Sequence, residues 1–431
     1  MFSFLLFLSS AFAENDPQKS QQSLDFGYRI NLIPMFKSNP DFNAETSQDN
    51  LLTIKQGVQF NIHGKWDGLQ IKSSFQDVRL WGTESSPVFT RDSYVALHEG
   101  YAQIDGQNSW LRLGRQEYVL NDGLILSAKP WSVNRIAFNG ARFQQRGERL
   151  LLEGGVFTLK NFAYYASTCT DDPATAENEC ETFAPEYTNS LGDYFVVLNS
   201  EINVNPKLQI KPYLLILRQG AIETDQTRDR TVYSPFLRVQ TKTENGVNFN
   251  IDAAYQFGQA AEGISHSAWM AKAFLQYKFD IYQASLVYDE RSGDGDASDD
   301  TVGDFEGFFG MGHRYRGIGD FVGFSNIRDI SAAFRASPNR KLNISVQYHY
   351  FQLSNPQGNW YLINGTTRGT ANPDNDDANL GQEIDLSFTI RPRKGMRFQF
   401  THATFMPMGV GQEKGGDDIS SATYMWMVVE K

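Results

Sequence analysis

The chain has 431 residues, 41% of them apolar and 13% aromatic, and a formal net charge of −11. The excess of acid excludes a nucleic-acid binder, which needs surplus Lys and Arg. With that apolar share, a mean hydropathy of −0.43 excludes both a helical membrane protein and a disordered chain.

The first thirteen residues, MFSFLLFLSSAFA, carry an apolar run from Phe2 to Leu8 and a small-x-small site at Ala11-Phe12-Ala13. This run is too short for a membrane helix and reads as a signal peptide (1–13) rather than a buried first strand. No Lys or Arg precedes it. Residues 14–431 offer no linker and no shift of composition, so they are expected to form a single domain.

From there the chain alternates with period two. LDFGYRINL (24–32) sets Leu24, Phe26, Tyr28, Ile30 and Leu32 against Asp25, Gly27, Arg29 and Asn31. LTIKQGVQFNIHG repeats the pattern near residue 55. VNFNIDAAYQF (247–257) sets Val247, Phe249, Ile251 and Tyr255 against Asn248, Asn250, Asp252 and Gln256. KLNISVQYHYF and EIDLSFTIR continue it near the C-terminus. Such strands have two unlike faces, and no segment sustains a helical period. About eighteen strands near the ten-residue length of a tilted membrane strand are expected. Tight turns rich in Gly, Asn, Asp and Pro, such as GKWDG (64–68) and RPRKG (391–395), alternate with long connections, among them 119–131, 159–192, 258–265, 292–322 and 354–380. That regularity points to an all-β, up-and-down, antiparallel transmembrane β-barrel with short periplasmic turns and long extracellular loops. The apolar faces then meet lipid, and the polar faces line a wet lumen. Trp81, Trp131, Trp269, Trp360 and Trp426 lie near strand ends, where interfacial girdles sit, or in loops, where they could stack on sugar.

Acid gathers in the long connections, at Asp171, Asp172, Glu177, Glu179 and Glu181, and again at Asp294, Asp296, Asp299, Asp300, Asp304 and Glu306. Base lies on the polar strand faces: Arg29, Lys55, Lys72, Arg112, Arg142, Lys211, Arg238, Lys272, Lys278 and Arg397 fall there by alternation. A cationic lumen in a low-dielectric wall favours anions, and the planar Arg fork suits carboxylates. Cys169 and Cys180, the two cysteines, flank CTDDPATAENEC and are expected to form a loop-closing disulfide in an oxidising compartment.

Several stretches resemble the alginate-export family of bacterial outer-membrane porins: FQDVRLWG (75–82), HEGYAQID (98–105), LRLGRQEYVLNDG (111–123), FNGARF (138–143), the run from SGDGD to GFSNI (292–327) and LGQEIDL (380–386). The resemblance implies an eighteen-stranded barrel in the bacterial outer membrane and an arginine-lined passage for an anionic polysaccharide. Carried over by motif, Arg79, Arg112, Arg115, Arg135 and Arg142 are its pore cations, joined on the polar face by Arg29 and Lys72. Arg79 and Arg115 share parity with lipid-facing neighbours, so a bulge or a place beyond the bilayer edge is needed for that role. Asn139 stands where the family has Asp, and the last strand ends in Glu430-Lys431 rather than on an aromatic residue.

No catalytic residue is expected, since nothing marks a nucleophile near His313 or His402. No metal or other cofactor is expected either. The weak calcium candidates are Asp294, Asp296 and Asp300, whose spacing departs from an EF-hand. The partners expected are the lipid bilayer, the outer-membrane assembly machinery, and an anionic small molecule or polysaccharide such as alginate, with the chain acting as a monomer. The alternative reading is a general, weakly selective porin whose lumen charges are structural.

Overall fold

The computed structural model describes residues 22–40, 42, 50–81, 94–133, 135–159, 167–169, 180–182, 193–220, 229–243, 246–296 and 298–431. Eighteen strands form the wall. They are β1 (Ser23–Ser38), β2 (Asn50–Trp66), β3 (Leu69–Trp81), β4 (Tyr94–Asp105), β5 (Ser109–Gln116) and β6 (Phe138–Arg146). Then come β7 (Leu150–Thr158), β8 (Tyr194–Asn205), β9 (Leu208–Gln219), β10 (Arg230–Lys242), β11 (Val247–Ala261) and β12 (Ile264–Phe279). The last six are β13 (Tyr282–Arg291), β14 (Ile327–Asn339), β15 (Leu342–Gln352), β16 (Asn379–Ile390), β17 (Met396–Pro407) and β18 (Ser420–Glu430). Each pairs antiparallel with its sequence neighbours, and β1 pairs with both β2 and β18, which closes the cylinder and leaves no edge. The strand count and the up-and-down order agree with the sequence reading. The connection expected to be long around 258–265 is instead a two-residue turn, because β11 runs on to Ala261 and β12 begins at Ile264.

Alternation now has a direction. On β11, Ile251, Tyr255 and Phe257 stand outward and exposed, while Asp252 and Gln256 are buried inward. Phe26, at 66% exposure, and Phe60, at 60%, lie on the same outer band. Aromatic side chains so bare need an apolar surrounding, which the bilayer supplies. Of the five tryptophans named from the sequence, out of seven in the chain, Trp81 and Trp269 are exposed, whereas Trp360 is buried and Trp131 and Trp426 pack against interior groups.

The interior is not uniformly wet. Two long connections, 117–137 and 292–326, fold into the barrel. Leu120, Leu124, Ile125, Leu126 and Phe305 on them pack against Phe138, Phe157, Phe195, Tyr213, Leu215, Leu217 and Phe236 of the wall. Backbone groups buried there must be paired. The two segments satisfy each other: Ser127 N donates to Phe309 O at 3.1 Å, Phe309 N to Ile125 O at 3.1 Å, and Met311 N to Gly123 O at 2.8 Å. A second apolar cluster of Phe42, Phe321, Phe351, Trp360 and Phe405 covers part of the opposite flank. The expected wet lumen is thus narrowed to what these segments leave free.

Candidate functional site

The 292–326 segment is held by charge. Arg316 is fully buried, with Nη2 3.1 Å from Asp289 Oδ1 and Nη1 3.7 Å from Asp329 Oδ2. These are close charge contacts rather than aligned hydrogen bonds. Gly319 N donates to Glu383 Oε1 at 2.8 Å, and Ile318 N to Asp385 Oδ2 at 3.2 Å. Gly317 has φ +79°, and a Cβ there would lie 2.4 Å from Glu383 Oε1, so the loop approaches the wall where only glycine fits. His313 is fixed in turn. Its Nδ1 lies 3.1 Å from Asp320, and its ring stacks on Trp131 of the other inward segment at 4.0 Å between centroids.

Between these segments and the flank of β1, β2 and β18 lies open space. A cavity of about 670 Å³ is lined by Arg29, Gln59, Lys72, Glu99, Glu117 and Arg135, among others. A second, of about 550 Å³, shares Arg29, Lys394 and Glu430 with it and opens toward the short-turn end. Its walls carry Arg340, Lys341, Arg391, Arg393, Lys394 and Arg397 against the single carboxylate of Glu430.

Of the cations named from sequence, Arg29, Lys72, Arg112, Arg135 and Arg142 point inward, but most have partners. Arg29 Nη1 lies 3.4 Å from Glu430, and its Nη2 donates to Pro130 O at 3.0 Å. Lys72 pairs with Glu99. Arg135 pairs with Glu117 at 2.7 Å, and Arg142 with Glu153 at 2.5 Å. Arg112 rests on neutral Gln103, at 2.8 and 2.6 Å, and its guanidinium covers the Tyr101 ring at 4.1 Å.

Arg79 and Arg115 are corrected. On β3 the inward residues are Ser74, Gln76 and Val78, which leaves Arg79 on the outer face with Phe75 and Trp81, 2.8 Å from Asp77. Arg115 stands opposite Gly100 and Asn139 on the outer face and donates to Leu97 O at 3.1 Å. A bulge does exist, at His98, where the β3–β4 register slips between Ser74 and Phe75. It turns His98 and Glu99 both inward and leaves Arg79 and Arg115 outside.

Sequence spacing does not foresee that His98, Glu99 and Glu117 would meet, yet their ligand atoms lie within 4.8 Å of one another. Lys72 and Arg135 already compensate the two carboxylates, so the cluster is an internally neutral network rather than a vacancy for a cation. Burial alone would raise the Glu117 carboxyl, but its bond to His98 and the charge of Arg135 hold it below the usual range. The weak calcium candidates do not gather. Among the described residues no such group includes Asp294, Asp296 or Asp300, and Asp294 and Asp296 accept backbone N–H groups of their own loop. Cys169 and Cys180 are backbone partners in a short antiparallel ladder, and their side chains lie outside the described residues.

Cations without an acidic partner among the described residues are mostly others: Lys37, Lys55, Lys129, Arg335, Arg391 and Arg397. Alternation puts Lys55 and Arg397 on the polar face but does not mark them as special. Lys37 shares the parity of Arg29 on β1, and Arg335 that of Asp329 on β14, so following each strand to its end would have found them. Arg397 lies over the Trp426 ring at 3.8 Å. Burial lowers the Lys129 ammonium, and nearby Asp320 offsets this in part. Burial alone would raise the Asp320 carboxyl, yet His313, Lys37 and Lys55 outweigh it and hold it below the usual carboxylate range.

The barrel resembles solved outer-membrane structures of Pseudomonas aeruginosa. It matches OpdO with a TM-score of 0.62 at 13% identity, covering 95% of this chain and 97% of that one. OprD matches at 0.60 and 11% identity, over 97% and 99%. The outer membrane protein opdK matches at 0.59 and 13% identity, over 94% and 98%. A comparison with curated protein sequences returns no match. The family model for alginate export matches residues 22–425. Closed wall, lipid-facing aromatics, inward loops and that match lead to one conclusion: the protein is an outer-membrane porin channel that belongs to the alginate export family.

Proposed function

We propose that this channel prefers anions and passes carboxylate-bearing solutes, anionic oligo- or polysaccharides such as alginate among them, along the side of the lumen that runs from β14 through β18 to β1 and β2. The observation that carries this reading is the run of lumen cations with no acidic partner among the described residues: Lys37, Lys55 and Lys129 toward the loop end, and Arg335, Arg391 and Arg397 toward the turn end. Unpaired charge in a narrow low-dielectric passage focuses potential, whereas a tight pair nearly cancels its own field. Contacts shared among several cations stay weak enough individually for cargo to move on. The test is the zero-current potential of the purified protein in a planar bilayer under a KCl gradient. Anion preference is expected, and cation preference overturns the reading. A general, weakly selective porin is the second reading. It is favoured by the pairing of Lys72, Arg135 and Arg142 with Glu99, Glu117 and Glu153. It predicts a potential near zero.

A further inference from the structure

On the outer wall near the short-turn end, three rows of lipid-facing side chains cross β12, β13, β14 and β15. The row farthest from the turns reads Leu275, Leu286, Ala332 and Tyr348. The next reads Tyr277, Ala284, Phe334 and Val346, and the last Phe279, Tyr282, Ala336 and Ile344. The large members stand well out from the wall: Leu286 is 59% exposed and Tyr277 49%. Alanine takes one place in each row, on β14, then β13, then β14 again. A line of methyl groups among tall side chains leaves a groove. Its part between the first two rows encloses about 490 Å³ and is lined almost wholly by apolar groups.

The groove has a length and an end. From the Tyr282–Ala336 row to the Leu286–Ala332 row is four residues of strand, about 13 Å, close to the depth of one leaflet's hydrocarbon, about 15 Å. Phe279 packs on both Tyr277 and Tyr282 near the turn end, where aromatic girdles sit. At Ala336 the groove meets the β14–β15 turn, SPNRK (337–341), which carries Arg340 and Lys341 and no acid. The β16–β17 turn, RPRKG (391–395), adds Arg391, Arg393 and Lys394, again without acid. All five bases are exposed. On the other side Lys278 and Asp280 offset each other, as Lys65 and Asp67 do at the β2–β3 turn. The five bases also rim the mouth cavity, but a solute in the lumen has no use for an apolar groove on the lipid side.

We infer that this groove and the β14–β15 turn together bind an anionic phospholipid of the periplasmic leaflet. One acyl chain lies along Ala336, Ala284 and Ala332, and the phosphate meets Arg340 and Lys341, with the β16–β17 bases adding to the field around it. The two halves of the site select different halves of the lipid. The groove gains dispersion contacts from a chain that fills it, and each base near the surface adds to the attraction for an anionic headgroup. A zwitterionic lipid satisfies only the groove, and a free phosphate ester only the bases. The site lies outside the lumen, so it does not depend on which ions the channel passes.

The test is native mass spectrometry of the full chain in detergent, titrated with equal amounts of phosphatidylglycerol and phosphatidylcholine bearing the same acyl chains. Wild type should retain phosphatidylglycerol about tenfold better. Arg340→Gln with Lys341→Gln should bring the two lipids to equal retention. Ala284→Leu with Ala332→Leu fills the groove on a face that already meets lipid, and should lower retention of both lipids about tenfold. Glycerol 3-phosphate, the headgroup chemistry without chains, should displace neither lipid. Heat-modifiable migration on SDS gels shows that each variant is folded. Equal retention by wild type, or a preference unmoved by the Arg340–Lys341 pair, overturns the headgroup assignment and with it the site. Retention unmoved by the alanine pair, or displacement of phosphatidylglycerol by glycerol 3-phosphate, shows that the groove holds no chain and refutes the inference.

Discussion

Removing Arg316 tests whether charge holds the 292–326 segment inside the barrel. In Arg316→Ala the guanidinium no longer bridges Asp289, at 3.1 Å, and Asp329, at 3.7 Å. Breaking a buried pair costs about 3–5 kcal/mol. The low end applies here, because neither acid is stranded. Asp289 keeps Arg291 at 3.2 Å and Lys272 at 3.8 Å, and Asp329 keeps His349 at 2.9 Å. Anchors at Gly319 and Ile318 also remain. A loss of about 3 kcal/mol shifts the balance between seated and unseated loop about 150-fold, at 1.36 kcal/mol per tenfold. In planar bilayers the variant should flicker to a larger conductance that the wild type rarely visits, with the barrel still resistant to SDS without heating. Conductance and noise indistinguishable from wild type would refute the anchoring argument.

Other substitutions probe the same frame. Gly317→Ala adds a Cβ 2.4 Å from Glu383 Oε1 at φ +79° and should unseat the loop by about 2 kcal/mol. Its conductance traces should resemble those of Arg316→Ala, and a silent variant would contradict the close approach. Removing a neutral pair together, Arg142→Met with Glu153→Gln, should leave the zero-current potential nearly unchanged, whereas Arg397→Met, which removes a cation with no acidic partner among the described residues, should move it toward cations. Equal shifts in the two variants would show that pairing does not decide selectivity. Cys169 and Cys180 face each other in a backbone ladder. A non-reducing peptide map should recover them in one linked species, and alkylation of both thiols in unreduced protein would exclude the bond.

The wall was legible because membrane strands obey period two and this chain keeps it almost everywhere. The exceptions were themselves signals. YFVVL on β8 and YLLIL on β9 are apolar on both faces, the mark of a strand covered on both sides. Here the covers are lipid outside and the inward loops within. Which loops turn inward could not be read locally, since Leu124, Ile125 and Leu126 gain their partners from the distant Phe305–Phe309 region and from the far wall. Motif transfer named Arg112, Arg135 and Arg142, which point into the barrel. It failed for Arg79 and Arg115, whose parity had already set them outward. The bulge at His98 turned a different pair of side chains inward. Pairing was the property least visible in sequence. Glu99, Glu117 and Glu153 neutralise cations on other elements, and only the closed register brings them together.

The most direct measurement compares permeation of two solutes of equal length that differ in charge. Proteoliposomes holding the wild-type channel would be given trigalacturonate or neutral maltotriose, and the swelling rates recorded. The lane of cations without acidic partners predicts that the trianion enters faster and that this lead shrinks as salt screens the lumen. Equal rates, or faster entry of the neutral sugar at low salt, would contradict an anion-selecting passage.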